Sequence, residues 1–199
     1  VSKGGASGPA VFIFSSEAGI ISGWNPAVPP PPTSMEAQIG VTVADAIYKG
    51  LAIAGSGDAA RLYATNFHAG TVDIFDNTFT QLFPPGAFVD PSLPTGFAPF
   101  GIQNIGGTLY VTYALQDEDK EDDVAGPGNG FIDMFDAETG DFIRFATGSD
   151  AGGNLTEIDS PWGLALAPNT FGKHAGELLV GNFGSGTIMS FDLRTGRFE

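Results

Sequence analysis

Apolar and polar residues alternate along four separated stretches of the chain, each broken once by a turn. The stretches are Val11–Asn25 (VFIFSSEAGIISGWN), Leu62–Asp76 (LYATNFHAGTVDIFD), Leu109–Asp136 and Leu178–Asp192 (LLVGNFGSGTIMSFD). The third opens as LYVTYALQ and closes as GFIDMFD around an insertion. A period of two marks a strand with one buried face, so each stretch predicts a strand, a turn and a second strand. The second strand always closes on an aromatic residue followed by Asn or Asp: Trp24-Asn25, Phe75-Asp76, Phe135-Asp136 and Phe191-Asp192. Successive closing pairs lie 51, 60 and 56 positions apart (25 to 76, 76 to 136, 136 to 192).

Two further elements flank these hairpins. Tyr48-Lys49-Gly50-Leu51-Ala52-Ile53, Pro99-Phe100-Gly101-Ile102 and Pro161-Trp162-Gly163-Leu164-Ala165-Leu166 precede three of them, each with an aromatic, a Gly and an apolar run. After the closing pairs, short turns lead to Phe79–Phe83, Asp141–Phe145 and Arg197–Glu199. No stretch holds a helical period with caps, so helix should be nearly absent. Four strands in about 50–60 residues is the signature of a β-propeller blade. The predicted fold is therefore all-β: a propeller of four-stranded antiparallel blades, strands A to D from the axis outwards, with about four blades present. The blades fall at approximately 1–46 (partial), 47–96, 97–159 and 160–199. The first lacks a strand A and the last ends within strand D, so a part of a six-bladed propeller is expected. Missing blades or another subunit would then close the ring.

The pattern PWGLA…LLVGNFGSGTI-SFD…TG resembles the NHL and SMP-30-like six-bladed propellers. It is more closely similar to a family of secreted bacterial propellers, with the acidic insertion Gln116–Gly130 and Phe131-Ile132-Asp133 as the most specific part of the match. The resemblance implies a longer parent chain and an extracellular or periplasmic location. It implies no particular activity.

Composition narrows the function classes. Lys and Arg total 8 against 23 Asp and Glu, a net charge of −15. A nucleic-acid partner needs a basic footprint to release phosphate counterions, and this chain has none. An anionic membrane surface is disfavoured for the same reason. No apolar run reaches the roughly 18 residues that span a bilayer. With 0 Cys, disulfides and thiolate sites are excluded.

Strand alternation sends the B–C and D–A connections to one face, where propeller ligands usually gather near the axis. The Gln116–Gly130 insertion is a B–C loop carrying Asp117, Glu118, Asp119, Glu121, Asp122 and Asp123 around Lys120. Closely spaced carboxylates suit Ca²⁺, so Asp117, Asp119 and Asp123 are candidate calcium ligands; the other reading is a solvated acidic insertion. Tyr48, Phe100 and Trp162 begin the three A strands and could ring the channel mouth to stack a sugar or other flat ligand. Packing between blades is the alternative. Asn66 and Asn182 hold equivalent ends of strand B, and His68 sits in the adjoining B–C loop; these are candidate ligand-binding residues. No nucleophile elbow or phosphate loop is present. The reading is a binding or scaffold propeller, open to a small molecule, a glycan or a protein. The alternative is a metal-dependent hydrolase, lactonase or lyase, because SMP-30-type propellers hold a central divalent ion with Glu, Asn and Asp.

Overall fold

The structure is a computed structural model that describes residues 1–84, 86–148, 153–154 and 156–198. A small hairpin of β1 (Ser2–Lys3) and β2 (Ala6–Ser7) precedes four larger sheets. The first holds β3 (Phe12–Ser15), β4 (Ile20–Trp24) and β5 (Gln38–Thr42). Next come β6 (Tyr48–Ala54), β7 (Arg61–Asn66), β8 (Thr71–Phe75) and β9 (Gln81–Leu82). The third sheet holds β10 (Phe97–Ile105), β11 (Thr108–Leu115), β12 (Gly130–Asp136) and β13 (Phe142–Ala146). The last holds β14 (Pro161–Leu166), β15 (Leu178–Asn182) and β16 (Ile188–Phe191), with a bridge from Phe191 to Phe198 where a fourth strand begins. Every strand pairs antiparallel with its neighbour in sequence. Among the described residues the only helical pieces are two 3-10 turns, Gly57–Ala59 and Gly172–His174.

The core lies between the sheets. Ile21, Tyr48, Leu62 and Phe75 fill the space between the first and second. Tyr63, Ile74, Phe88, Leu109 and Phe135 fill the next, and Tyr110, Ile132, Phe145, Leu178 and Phe191 the last. Each buried aromatic of this kind contributes about 1.5–3 kcal/mol by leaving water. The closing pairs divide the work. Phe75, Phe135 and Phe191 are buried, while Asp76, Asp136 and Asp192 turn the chain by accepting backbone N–H groups from Thr78 and Thr80, from Glu138 and Thr139, and from Arg194 and Thr195. Hydrogen bonds, led by those from Thr78, Thr139 and Thr195, hold these three exposed carboxyls below the ordinary range.

Strand β10 touches both β6 and β14, so the three inner strands stand side by side. Their glycines make this possible. A Cβ on Gly101 would stand 2.0 Å from the carbonyl oxygen of Trp162, and one on Gly50 would stand 3.1 Å from that of Phe100. Thr65 of β7 donates its hydroxyl to the Phe100 carbonyl of β10 at 2.8 Å and so joins the second sheet to the third, while Thr112 of β11 accepts the Gly101 N–H at 2.8 Å within the third sheet. Gly163, the matching glycine of β14, has nothing within 4 Å. Replacing Gly101 by Ala is therefore expected to cost about 1–3 kcal/mol through overpacking, whereas Gly163→Ala in this chain should stay within about 0.5 kcal/mol. Urea unfolding of the two variants measures the difference, and equal losses would show that the inner strands do not depend on this close approach.

Candidate functional site

The inner strands share a second feature. Their pairing with the next strand shifts register between Tyr48 and Gly50, between Pro99 and Ile102, and between Pro161 and Gly163. A bulge re-aims the side chains beside it. The register pairs Tyr48 with Asn66, Pro99 with Tyr113 and Pro161 with Asn182, which makes Lys49, Phe100 and Trp162 equivalent to one another. By register Lys49 is the counterpart of Phe100 and Trp162 in the second sheet, with Tyr48 beside it at the same end of the strand. Tyr48 is buried, and its hydroxyl donates to Asp73 Oδ2 at 2.9 Å. Burial first, and then the neighbouring Asp73 carboxylate, drive its pKa well above the usual phenol range.

A cavity of about 310 Å³ opens where these strands begin, lined by Ser15, Ser16, Glu17, Tyr48, Lys49, Phe100, Asp122, Trp162 and Phe183. Phe100, Trp162 and Phe183 form an aromatic cluster. Ring centroids lie 6.5 Å apart for Phe100–Trp162 and 6.2 Å apart for both Phe100–Phe183 and Trp162–Phe183. Phe100 is buried, and behind it Phe67 packs at 5.2 Å. Trp162 and Phe183 keep 47% and 63% of their surface exposed. The Trp162 indole N–H donates to the Lys49 carbonyl at 2.9 Å, which fixes the ring's tilt against the second sheet.

Lys49 supplies the charge. Its ammonium lies 2.5 Å from Glu17 Oε1 and 3.0 Å from Asp122 Oδ1, and 5.9 Å above the Phe67 ring. Burial opposes the charged form, but the bonds to Glu17 and Asp122 outweigh it and raise the pKa. Glu17 and Asp122 arrive from the β3–β4 and β11–β12 connections, so one lysine joins three sheets. Sequence reasoning missed Lys49, Phe183, Glu17 and Asp122. The one available signal was the Gly that directly follows Lys49, Phe100 and Trp162 in all three strands and defines the alignment.

The acidic insertion is a hairpin. Gln116 bridges to Asp123, the Asp117 N–H donates to the Asp122 carbonyl at 2.9 Å, and the Val124 N–H to the Leu115 carbonyl at 2.8 Å. Asp117 Oδ1 accepts the Glu121 N–H at 2.9 Å and closes the tip. At its base the Gln116 side-chain amide donates to the Phe67 carbonyl at 2.6 Å, beside His68. His68 itself is half-buried, and its Nδ1 is enclosed without a partner among the described residues.

Asn66 and Asn182 are equivalent, as expected, but their amides serve the backbone. Asn66 Oδ1 accepts from Ile47 at 3.3 Å and Ala69 at 3.2 Å, and its Nδ2 donates to Asp73 at 3.0 Å. Asn182 Oδ1 accepts from the Asp159 N–H at 3.2 Å, and its Nδ2 donates to the Glu157 carbonyl and Thr187 Oγ1. Neither has an oxygen free for a central cation, and no group of three His, Asp or Glu among the described residues is placed to hold a metal. The residues present therefore do not fit the central divalent ion that the resemblance implied. A second cavity of about 400 Å³ faces Asp73, Asp90 and Tyr113. Its carboxylates are engaged, Asp73 also by Thr71 and Asp90 by Ser92 and Arg144. Nδ1 of His174, in the β14–β15 connection, meets Ser190 Oγ of β16 at 2.9 Å and Glu177 Oε2 at 2.7 Å. A serine relay needs the hydroxyl and the carboxylate on different ring nitrogens, so this trio is not one.

No family model matches the chain. It is 34% identical over 200 residues to Uncharacterized protein R640 of Acanthamoeba polyphaga mimivirus, covering 97% of this chain and 35% of that protein. To Uncharacterized protein R648 of the same virus it is 32% identical over 187 residues, covering 92% of this chain and 44% of that one. The chain thus spans about a third to a half of the length of the curated relatives it matches. These relatives are viral, where the sequence pattern pointed to bacterial proteins. Among solved structures, a gluconolactonase from Xanthomonas campestris superposes with a TM-score of 0.61 at 17% identity, over 94% of this chain and 56% of that one. The fold is that of a β-propeller. At that identity the likeness speaks for fold alone.

Asp117 Oδ1 already accepts the Glu121 N–H at the hairpin tip, and among the described residues no three carboxylates stand together to hold an ion. Millimolar Ca²⁺ is accordingly expected to leave the melting temperature of the chain unchanged. A saturable rise, which binding to the folded state would produce, lost in the Asp119→Asn, Asp123→Asn double variant, would show instead that the tip refolds around the ion.

Proposed function

We propose that the chain is a ligand-binding propeller whose axial cavity takes a molecule with a flat apolar face, a sugar ring being the leading case. One observation carries this: Trp162 and Phe183 stand half open to solvent beside buried Phe100, on the rim of a cavity that also presents Ser15, Ser16, Glu17 and Asp122. Scattered exposed apolar groups need no explanation, but rings that converge on a cavity with hydroxyl and carboxylate groups do. The apolar face of a pyranose packs on an aromatic ring while its hydroxyls donate to carboxylates. Equivalent bulges carry Phe100 and Trp162 on two adjacent inner strands, which supports a preformed site.

The acidic surface fits an exported protein, extracellular or periplasmic. Further blades or a second subunit would complete the ring on the far side of the axis. Among the described residues no helix is long and apolar enough to cross a membrane.

The chain has 2 Trp, so the Trp24→Phe variant leaves Trp162 as the sole tryptophan, whose emission is read with excitation at the red edge where Tyr does not absorb. Titration of that variant with a panel of mono- and oligosaccharides should give saturable quenching. Replacing Trp162 by Ala, followed by calorimetry, should weaken binding about tenfold or more, as truncation of a central aromatic anchor does. A panel that leaves Trp162 emission unmoved would refute the reading.

A further inference from the structure

Lys49 occupies the inner-strand place that Phe100 and Trp162 fill with rings. Its side chain is only 9% exposed, whereas its partners Glu17 and Asp122 are 66% and 79% exposed. A buried ammonium without a counter-charge is costly, so this position requires an anion. It does not require these particular anions, since an ion pair to an exposed carboxylate is worth only about 0–1 kcal/mol.

Asp122 is the more replaceable of the two. It rides near the end of the Gln116–Asp123 hairpin, whose backbone bonds and Asp117–Glu121 closure are internal. The hairpin is anchored at its base by Gln116 on the Phe67 carbonyl and meets Lys49 only through Asp122. Releasing Asp122 breaks one ion pair and leaves the hairpin intact. The place it vacates lies in the cavity shared with Trp162 and Phe183.

We propose that Lys49 is the specificity-determining residue of the axial cavity, and that Asp122 holds the place of an acidic group on the ligand. This rests on the axial cavity being the binding site. The ligand class is a ring compound bearing a carboxylate: the ring packs on Trp162, and the carboxylate takes Asp122's position on the Lys49 ammonium while the hairpin swings outward. The number of carboxylates at the ammonium stays the same, so the exchange costs no uncompensated buried charge. The chain's net charge of −15 opposes an anion at long range, so selection comes from contact with Lys49 itself.

The test uses benzoate and its uncharged counterpart benzamide as probes, read by Trp162 emission in the Trp24→Phe protein beside the sugar panel. Benzoate should bind at least about tenfold more tightly than benzamide. Lys49→Met should abolish that preference and Lys49→Arg should keep it. Asp122→Asn, at an exposed position that folding does not depend on, should tighten benzoate about two- to fivefold by removing the internal competitor. Equal affinity for the two probes, a preference that survives Lys49→Met, or no gain in Asp122→Asn would overturn the role of Lys49 while sugar binding kept the cavity. If neither the probes nor any sugar changes the emission, the cavity reading falls together with this one.

Discussion

Backbone-to-backbone contact between successive inner strands is the constraint on which the rest of the structure depends. Gly101 lets β10 approach β14 to a distance that a side chain would prevent, and Gly50 gives β6 a tighter approach to β10 than a side chain ordinarily has. Thr65 then uses the closeness, bonding from the second sheet to the Phe100 carbonyl of β10, while Thr112 holds the Gly101 N–H from within the third sheet. The register shifts lie at the same places. A strand that must pass this near its neighbour bends there, and the bend turns the preceding residue toward the axis. Lys49, Phe100 and Trp162 owe their shared position to that bend.

From the axis outwards the packing loosens into ordinary sheet-on-sheet burial. Phe75, Phe135 and Phe191 sit where the closing pairs place them, and the aspartates that follow release the chain into its next turn. Several buried polar groups in this region form networks. Asp73 collects Tyr48, Asn66 and Thr71, and Arg144 joins Asp90 to Asp133 while lying 4.6 Å from the Phe131 ring. These networks join residues of different strands and leave the connections at the axial face to differ. There the serines and Glu17 of one loop, the acidic hairpin of another and the exposed Phe183 of a third surround a framework that does not vary with them.

The four-strand unit, the all-β class and the aromatic–Asx closures were legible in the sequence because each is local. Alternation sets which face of a strand is buried, and an Asp with nearby N–H groups makes its turn without help from distant residues. The equivalence of Asn66 and Asn182 at the ends of β7 and β15 was legible for the same reason. The place of Tyr48 was not. Its aromatic ring invited alignment with Phe100 and Trp162, but a bulge adds a residue to one strand without marking the sequence, and the register gives their place to Lys49. The composition of the insertion showed its charge but not its direction. Whether Asp122 meets solvent, an ion or Lys49 depends on how the hairpin leans from β11, and Gln116 sets that lean by reaching the carbonyl of Phe67, 49 residues away in the chain. What the sequence alone determined were the periodic features, which arise within a strand or a turn. What only the tertiary structure decided was which side chains converge on the axis, because that follows from how closely separate strands can pack.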